Sequence, residues 1–272
     1  MPSPQQVGLH SPSRHLEVTA AQGGDDYATS VQAFLRERGI GMTLAFSGGA
    51  DDQSPLLNAF VDSIRVDDAI PEDIKKGLEK RAVSAGADNI SRIVRDILEP
   101  LRGYRIAVLT GGTKWGVPDA ATKVAKDLGF ATIGVYPLTA KNKSALPPEM
   151  LDLSVCVHPF IGDSSWGDES AIFTKLLDAV IVIGGGAGTM VEVAHLLKIN
   201  EKKDARAKWI IPVYGTGGTA DKLSFFPGKP ETIARCIPSM PIRTGVDVVE
   251  FLRDNNVITD DICEPYERNT QP

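Results

Sequence analysis

The 272-residue chain is 42% hydrophobic and 24% charged, too apolar for a disordered polypeptide and long enough to bury a sizeable core in one large α/β domain or two small ones. Its formal net charge of −6 argues against a nucleic acid polymer as partner, because DNA and RNA binding rests on basic residues facing phosphates. Cys156, Cys236 and Cys263 lie far apart without ligand spacing, so no disulfide framework and no metal site are expected. With no apolar run of about 18 to 20 residues and no hydrophobic signal core, the expectation is a cytoplasmic protein without a membrane partner.

Residues 1–25 are rich in Pro, Ser, Gln and Gly and read as a flexible tail, ahead of a single domain over 26–260 and a second tail over 261–272. Within the domain, 26–39 places Tyr27, Val31, Phe34 and Leu35 at near-helical spacing. A short strand over 42–46 follows and runs into Ser47, Gly48 and Gly49. From 54 to 101 the pattern is helical, with breaks expected near Ile70-Pro71 and around Gly86, and with Ile90, Ile93, Val94, Ile97 and Leu98 on one apolar face. Alternation then sets in: strand 105–109, helix 119–128, strand 132–136, a possible strand 154–157, helix 169–177, strand 179–183, helix 189–199 and strand 209–214. Pro227, Pro230, Pro238 and Pro241 mark loop, and a last helix is expected over 246–253. Strands alternating with helices predict an α/β, Rossmann-like, doubly wound parallel sheet with helices on both faces.

Three strands end in glycine turns, at Gly111-Gly112, Gly184-Gly185-Gly186-Ala187-Gly188 and Gly215-Thr216-Gly217-Gly218. In a parallel sheet all three project from the carboxyl edge, where α/β proteins bind ligands. Glycine permits positive φ and close backbone approach, and a helix opening directly after such a turn offers N–H groups and a partial positive charge to a phosphate. The candidate phosphate or nucleotide contacts are therefore Gly184, Gly185, Gly186, Gly188, Thr189, Gly111, Gly112, Lys114, Gly116, Ser47, Gly48, Gly215, Thr216 and Gly217. Trp115 is a candidate to stack on a base, Trp166 to close over the pocket, and Asp51 and Asp52 to meet ribose hydroxyls. His158 is a candidate pocket residue, and His195 reads as a packing histidine. No Gly-Lys-Ser/Thr follows any turn and GxGxxG is not matched, so neither a Walker A loop nor a nicotinamide site is indicated, and no cofactor is expected.

The run from Gly184 through Glu192 resembles the GGxGTxxE signature of the lysine-decarboxylase-like LONELY GUY (LOG) proteins. Thr110-Gly111-Gly112-Thr113-Lys114-Trp115-Gly116-Val117 is similar to that family's earlier GGxxxGxM loop. The resemblance implies the Rossmann-like fold of the broader SLOG superfamily and a homodimer. It also implies hydrolysis of the N-glycosidic bond of a nucleoside 5′-monophosphate, with Gly185, Gly186, Gly188 and Thr189 on the phosphate and Glu192 as the catalytic carboxylate. Cleavage of that bond develops positive charge on the sugar, which a carboxylate stabilises. Thr189-x-x-Glu192 equally has the spacing of a capping box, in which both residues serve only the helix start. The family's phosphoribohydrolases carry an Arg-Lys pair upstream of this strand where the present chain has Gly167-Asp168-Glu169-Ser170-Ala171. Two readings stay open: a phosphoribohydrolase, or a non-catalytic sensor of a nucleotide-derived small molecule.

Overall fold

The runs Ile-Ala-Val-Leu-Thr and Ala-Val-Ile-Val-Ile are apolar at nearly every position rather than at alternate ones, which is the pattern of strands covered on both faces. The computed structural model describes residues 15–19, 24–49, 55–159, 167–202, 206–259 and 262, and in it both runs are fully buried strands. Among the described residues seven strands form one sheet: β1 (Leu16–Val18), β2 (Met42–Gly48), β3 (Ile106–Thr110), β4 (Ala131–Pro137), β5 (Leu153–Val157), β6 (Ala179–Ile183) and β7 (Trp209–Pro212). Their order is β1-β5-β4-β3-β2-β6-β7 and every pairing is parallel. The expected doubly wound parallel sheet is thus the observed one.

Nine α-helices join the strands: α1 (Gly24–Glu37), α2 (Pro55–Val66), α3 (Glu72–Leu98), α4 (Gly116–Asp127), α5 (Glu169–Leu176), α6 (Ala187–Asn200), α7 (Gly218–Lys222), α8 (Pro230–Cys236) and α9 (Gly245–Asp254) among the described residues. Strand side chains alternate between the two faces. Leu44, Phe46, Val108 and Ile181 join the core beneath α3, α4 and α9, whereas Ala45, Leu109, Val135 and Val182 join the core beneath α1, α5 and α6.

Three details depart from the sequence reading. The stretch read as an N-terminal tail contains β1, which pairs with β5 through Leu16 and Leu153; three residues are too short a run for periodicity to show. Helix α3 continues through Gly86, which is buried, so packing outweighs the roughly 1 kcal/mol that a helical glycine costs. The break at Pro71 is real, with that residue in extended conformation just before α3. Pro230 opens α8 rather than extending a loop, because a helix's first position needs no N–H donor.

The chain leaves β2 toward β3 on one side, and β6 later adds to the other side of β2. That reversal opens a crevice at the carboxyl ends of β2 and β6. The two strands are held tightly there. Thr43 N–H donates to Asp178 Oδ2 at 2.8 Å at the other end of the pair. At the crevice end, a Cβ on Gly48 would lie 2.3 Å from the Ile183 carbonyl oxygen and 2.5 Å from Val117, so only glycine fits. Helix α3 covers one face of the sheet, and Leu98, fully buried, belongs to the core between them. Truncation in Leu98→Ala is expected to cost about 2–5 kcal/mol, read as a lower denaturation midpoint at unchanged m-value.

Candidate functional site

A cleft of about 710 Å³ lies over the carboxyl edge of the sheet. Its floor is the end of β2, with Phe46, Ser47 and Gly48. The loop after β3 contributes Gly111, Thr113 and Trp115, the start of α5 contributes Glu169 and Ser170, and the start of α6 contributes Gly188, Thr189 and Glu192. Helices α5 and α6 pack on one face of the sheet and α4 on the other. The cleft therefore runs across the sheet edge, with Trp115 reaching it from one face and the two glutamates from the other.

The turn into α6 is built from glycines of two kinds. Gly184 and Gly185 have φ of 60° and 103°, which favours glycine, and a Cβ on Gly185 would come within 2.7 Å of the Thr189 side chain. These two make the turn possible. Gly186 and Gly188 are different: neither has a positive φ, and a Cβ at either would meet nothing within 4 Å. Backbone geometry and packing leave both positions unconstrained, and they face open space at the helix start.

Helix α6 begins at Ala187 after Gly186, without a side-chain cap. The Ala187, Gly188 and Thr189 N–H groups have no helical acceptor ahead of them, and the helix dipole adds partial positive charge. The capping-box reading of Thr189 and Glu192 is not what forms. Thr189 lies within the first turn, packed under Gly185, while Glu192 is a turn further along and accepts a hydrogen bond from the Ser47 hydroxyl across the cleft floor.

Glu192 is part-buried on the cleft wall. Burial pushes its carboxyl up from 4.5 to about 7; the Ser47 hydrogen bond opposes the rise and the nearby Glu169 adds to it. Glu169 is itself buried, with Oε2 accepting the Gly167 N–H at 2.8 Å, and burial also raises its pKa. Two carboxyls that disfavour charge thus share one cleft. Among the described residues that line it, none is Lys, Arg or His.

Residues 85–203 match the model of the SLOG cluster4 family, a stretch that includes both glycine motifs, Glu169 and Glu192. That stretch is similar to the SLOG cluster4 family. Among solved structures, that of TM1055 aligns at 16% identity over 79% of this chain and 99% of its own, with a TM-score of 0.49. A molybdenum cofactor binding protein from the phototrophic bacterium Rippkaea orientalis aligns at 19% identity over 79% and 97%, TM-score 0.48. The molybdenum cofactor carrier protein of Chlamydomonas reinhardtii aligns at 16% over 79% and 98%, TM-score 0.47. No curated protein matches the chain.

The three glycine turns do different work. In the loop after β3, Gly111, Thr113 and Trp115 line the cleft while Gly112, at φ 60°, and Lys114 do not. Gly112 donates to Thr110 Oγ1 and accepts from Leu146, and Lys114 N–H donates to the Ser144 carbonyl. The Lys114 ammonium lies 5.3 Å from the Trp115 ring. Gly116 starts α4 with φ 60° and lies off the cleft. That helix start is a poorer anion cradle than α6, since Val117 N–H already donates to Gly49 and Pro118 has none.

The third turn stands behind the second rather than beside the cleft. Gly215 and Gly217 N–H groups donate to the Asp221 carboxylate, and the Thr216 hydroxyl accepts from Gly184 N–H and donates to Val213. Thr219 and Ala220 N–H groups bond the Gly185 and Gly184 carbonyls. This turn buttresses Gly184, with the Gly215, Gly217, Thr219 and Ala220 N–H groups engaged within the fold. His158 is exposed beside β5, its N–H donating to the Tyr27 hydroxyl, and neither it nor His195 lines the cleft. Asp51, Asp52, Trp166 and Cys263 lie outside the described residues. Phe46, Val135 and Ser144 line the cleft without any sequence signal, because nothing in a strand end or a polar loop announces which side chain faces a crevice.

The raised pKa of Glu192 has a defined sign in stability. Between 4.5 and about 7 the unfolded chain has ionised this carboxyl while the folded chain keeps its proton. Its contribution therefore falls as pH rises through that window, by an amount on the order of 3 kcal/mol. Unfolding curves of the wild type and Glu192→Gln should separate accordingly, the variant gaining relative stability from pH 5 to pH 7 and no more above pH 8. Ser47→Ala removes the bond that holds the pKa down, so carboxyl NMR titration should show Glu192 protonated to higher pH.

Proposed function

We propose that the cleft binds a nucleoside 5′-monophosphate, with the phosphate at the start of α6 and Glu192 facing the ribose, and that the protein cleaves the N-glycosidic bond. The observation that supports this reading most is the position of Glu192. It projects into the cleft one turn beyond an uncapped helix start whose Gly186 and Gly188 leave open space. Backbone N–H groups there suit a phosphate without any basic side chain.

In the proposed reaction the bond from C1′ to the base nitrogen breaks as positive charge grows on the ribose ring. A water oxygen bonds to C1′ and one of its protons passes to Glu192, while the base nitrogen takes a proton from solvent as it leaves and Glu192 then returns its own to solvent. A carboxyl poised near pH 7 suits a group that takes up a proton and gives it back. Ser47 holds Glu192 in place. The products are free base and ribose 5-phosphate.

One observation favours a second reading, a sensor that binds without turnover. Glu169 occupies the cleft wall in the segment where the resemblance implies a cation for the hydrolases, and no described lining residue replaces it. Purified protein incubated with the common nucleoside monophosphates decides between the two. The hydrolase reading expects free base and ribose 5-phosphate, and a loss of about 10²–10⁴-fold in rate in Glu192→Gln with binding retained. Saturable binding with no base released from any of them selects the sensor. An absence of binding to all of them contradicts both.

A further inference from the structure

Glu169 is a carboxylate 9% exposed on the wall of a cleft without a described basic residue. The segments 50–54 and 160–166, which adjoin Gly49 and Gly167 in sequence, contain no Lys, Arg or His either. Its place is imposed by the backbone. Gly167 has φ 127°, a conformation that favours glycine, and its N–H fixes Glu169 Oε2 at 2.8 Å, directly before α5. A buried carboxylate is costly unless donors reach it; the backbone N–H groups of Gly167 and Glu169 reach this one, and no Lys, Arg or His among the described lining residues adds to them. Across the sheet edge stands Trp115, 49% exposed, held in extended conformation just before α4 and lining the same cleft. An indole face beside a carboxylate is the chemistry of a planar heterocycle with N–H groups on its edge.

We infer that the cleft takes a nucleotide whose base carries an amino group next to a ring N–H, with Glu169 accepting from both and Trp115 stacking on the ring. The inference rests on the nucleotide reading above and deepens it. A carboxylate presents two oxygens side by side and so matches two adjacent donors. Among the common bases only guanine has that edge. Adenine and cytosine set their amino group beside a ring nitrogen acceptor, whose lone pair would face the second carboxylate oxygen. Uracil and thymine offer a single N–H between two carbonyls. Hypoxanthine keeps the ring N–H but lacks the amino group, and xanthine puts a carbonyl in its place. Burial raises the pKa of Glu169 although the Gly167 and Glu169 N–H groups oppose the rise, as expected of a carboxylate in a poorly solvated cleft.

Calorimetric titration of the full chain with GMP, IMP, XMP and AMP tests the assignment. The wild type is expected to bind GMP at least about 10-fold more tightly than IMP or XMP, the worth of a matched donor pair. In Glu169→Gln the GMP affinity should fall to that of IMP while the IMP affinity holds. In Trp115→Ala all four should weaken by a similar factor. Nucleotide binding without a GMP preference, or a preference that survives Glu169→Gln, overturns the assignment and leaves the nucleotide reading standing. Binding of none of the four overturns the nucleotide reading and the assignment with it. Should Glu169→Gln not fold, the wild-type ratio of GMP to IMP and XMP decides alone.

Discussion

At the carboxyl ends of β2 and β6 two parallel strands come so close that Gly48 admits no side chain against the Ile183 carbonyl. The geometry of the cleft follows from that contact. It brings the end of β2 under the start of α6, so that the Ser47 hydroxyl meets Glu192 although 145 positions separate them in sequence. The winding direction reverses at the same place, which leaves a crevice rather than a packed crossover. The Gly215 turn then locks the Gly184 turn from behind through Thr216, Thr219 and Ala220. The helix start is thus held rigidly from the rear and open in front.

The electrostatics of the cleft are divided. At the α6 start, backbone N–H groups and the helix dipole favour negative charge. Beside it, Glu169 and Glu192 disfavour a second negative charge, and each raises the cost of ionising a neighbour in a poorly solvated space. A ligand that satisfies both regions is itself divided, anionic at one end and rich in hydrogen-bond donors at the other. A nucleoside monophosphate has this form, whereas a polyphosphate chain extending along the cleft would meet the carboxylates.

Much of this architecture was legible in the sequence because it rests on period and punctuation. The β3, β4 and β6 runs, the glycine turns after β3 and β6, and the presence of a helix after the Gly184 turn follow from apolar continuity and from glycine's freedom in φ, although that helix opens at Ala187 rather than Thr189. Gly184 and Gly185 stood out for the same reasons, and Glu192 and the acidic segment at Glu169 through the resemblance to the LOG proteins. What was not legible depends on contacts distant in sequence. The Ser47 to Glu192 bond spans the sheet, and only the fold separates it from the capping box that the local spacing also allows. The Gly215 turn has the same composition as a ligand loop, and Asp221, four to six residues on, diverts its donors inward. Strand β1 is too short to announce itself, and Gly86 is kept helical by burial that no local pattern encodes.

The central claim is that the uncapped start of α6 holds a phosphate. Amide NMR of the ¹⁵N-labelled protein titrated with ribose 5-phosphate tests it most directly, since this probe carries the phosphate and sugar without any base. Saturable shifts concentrated at Ala187, Gly188 and Thr189, with Gly215 and Gly217 nearly unmoved, are the result the account predicts. Shifts that do not saturate, or that concentrate at the α4 start around Gly116 while Gly188 stays still, would contradict it.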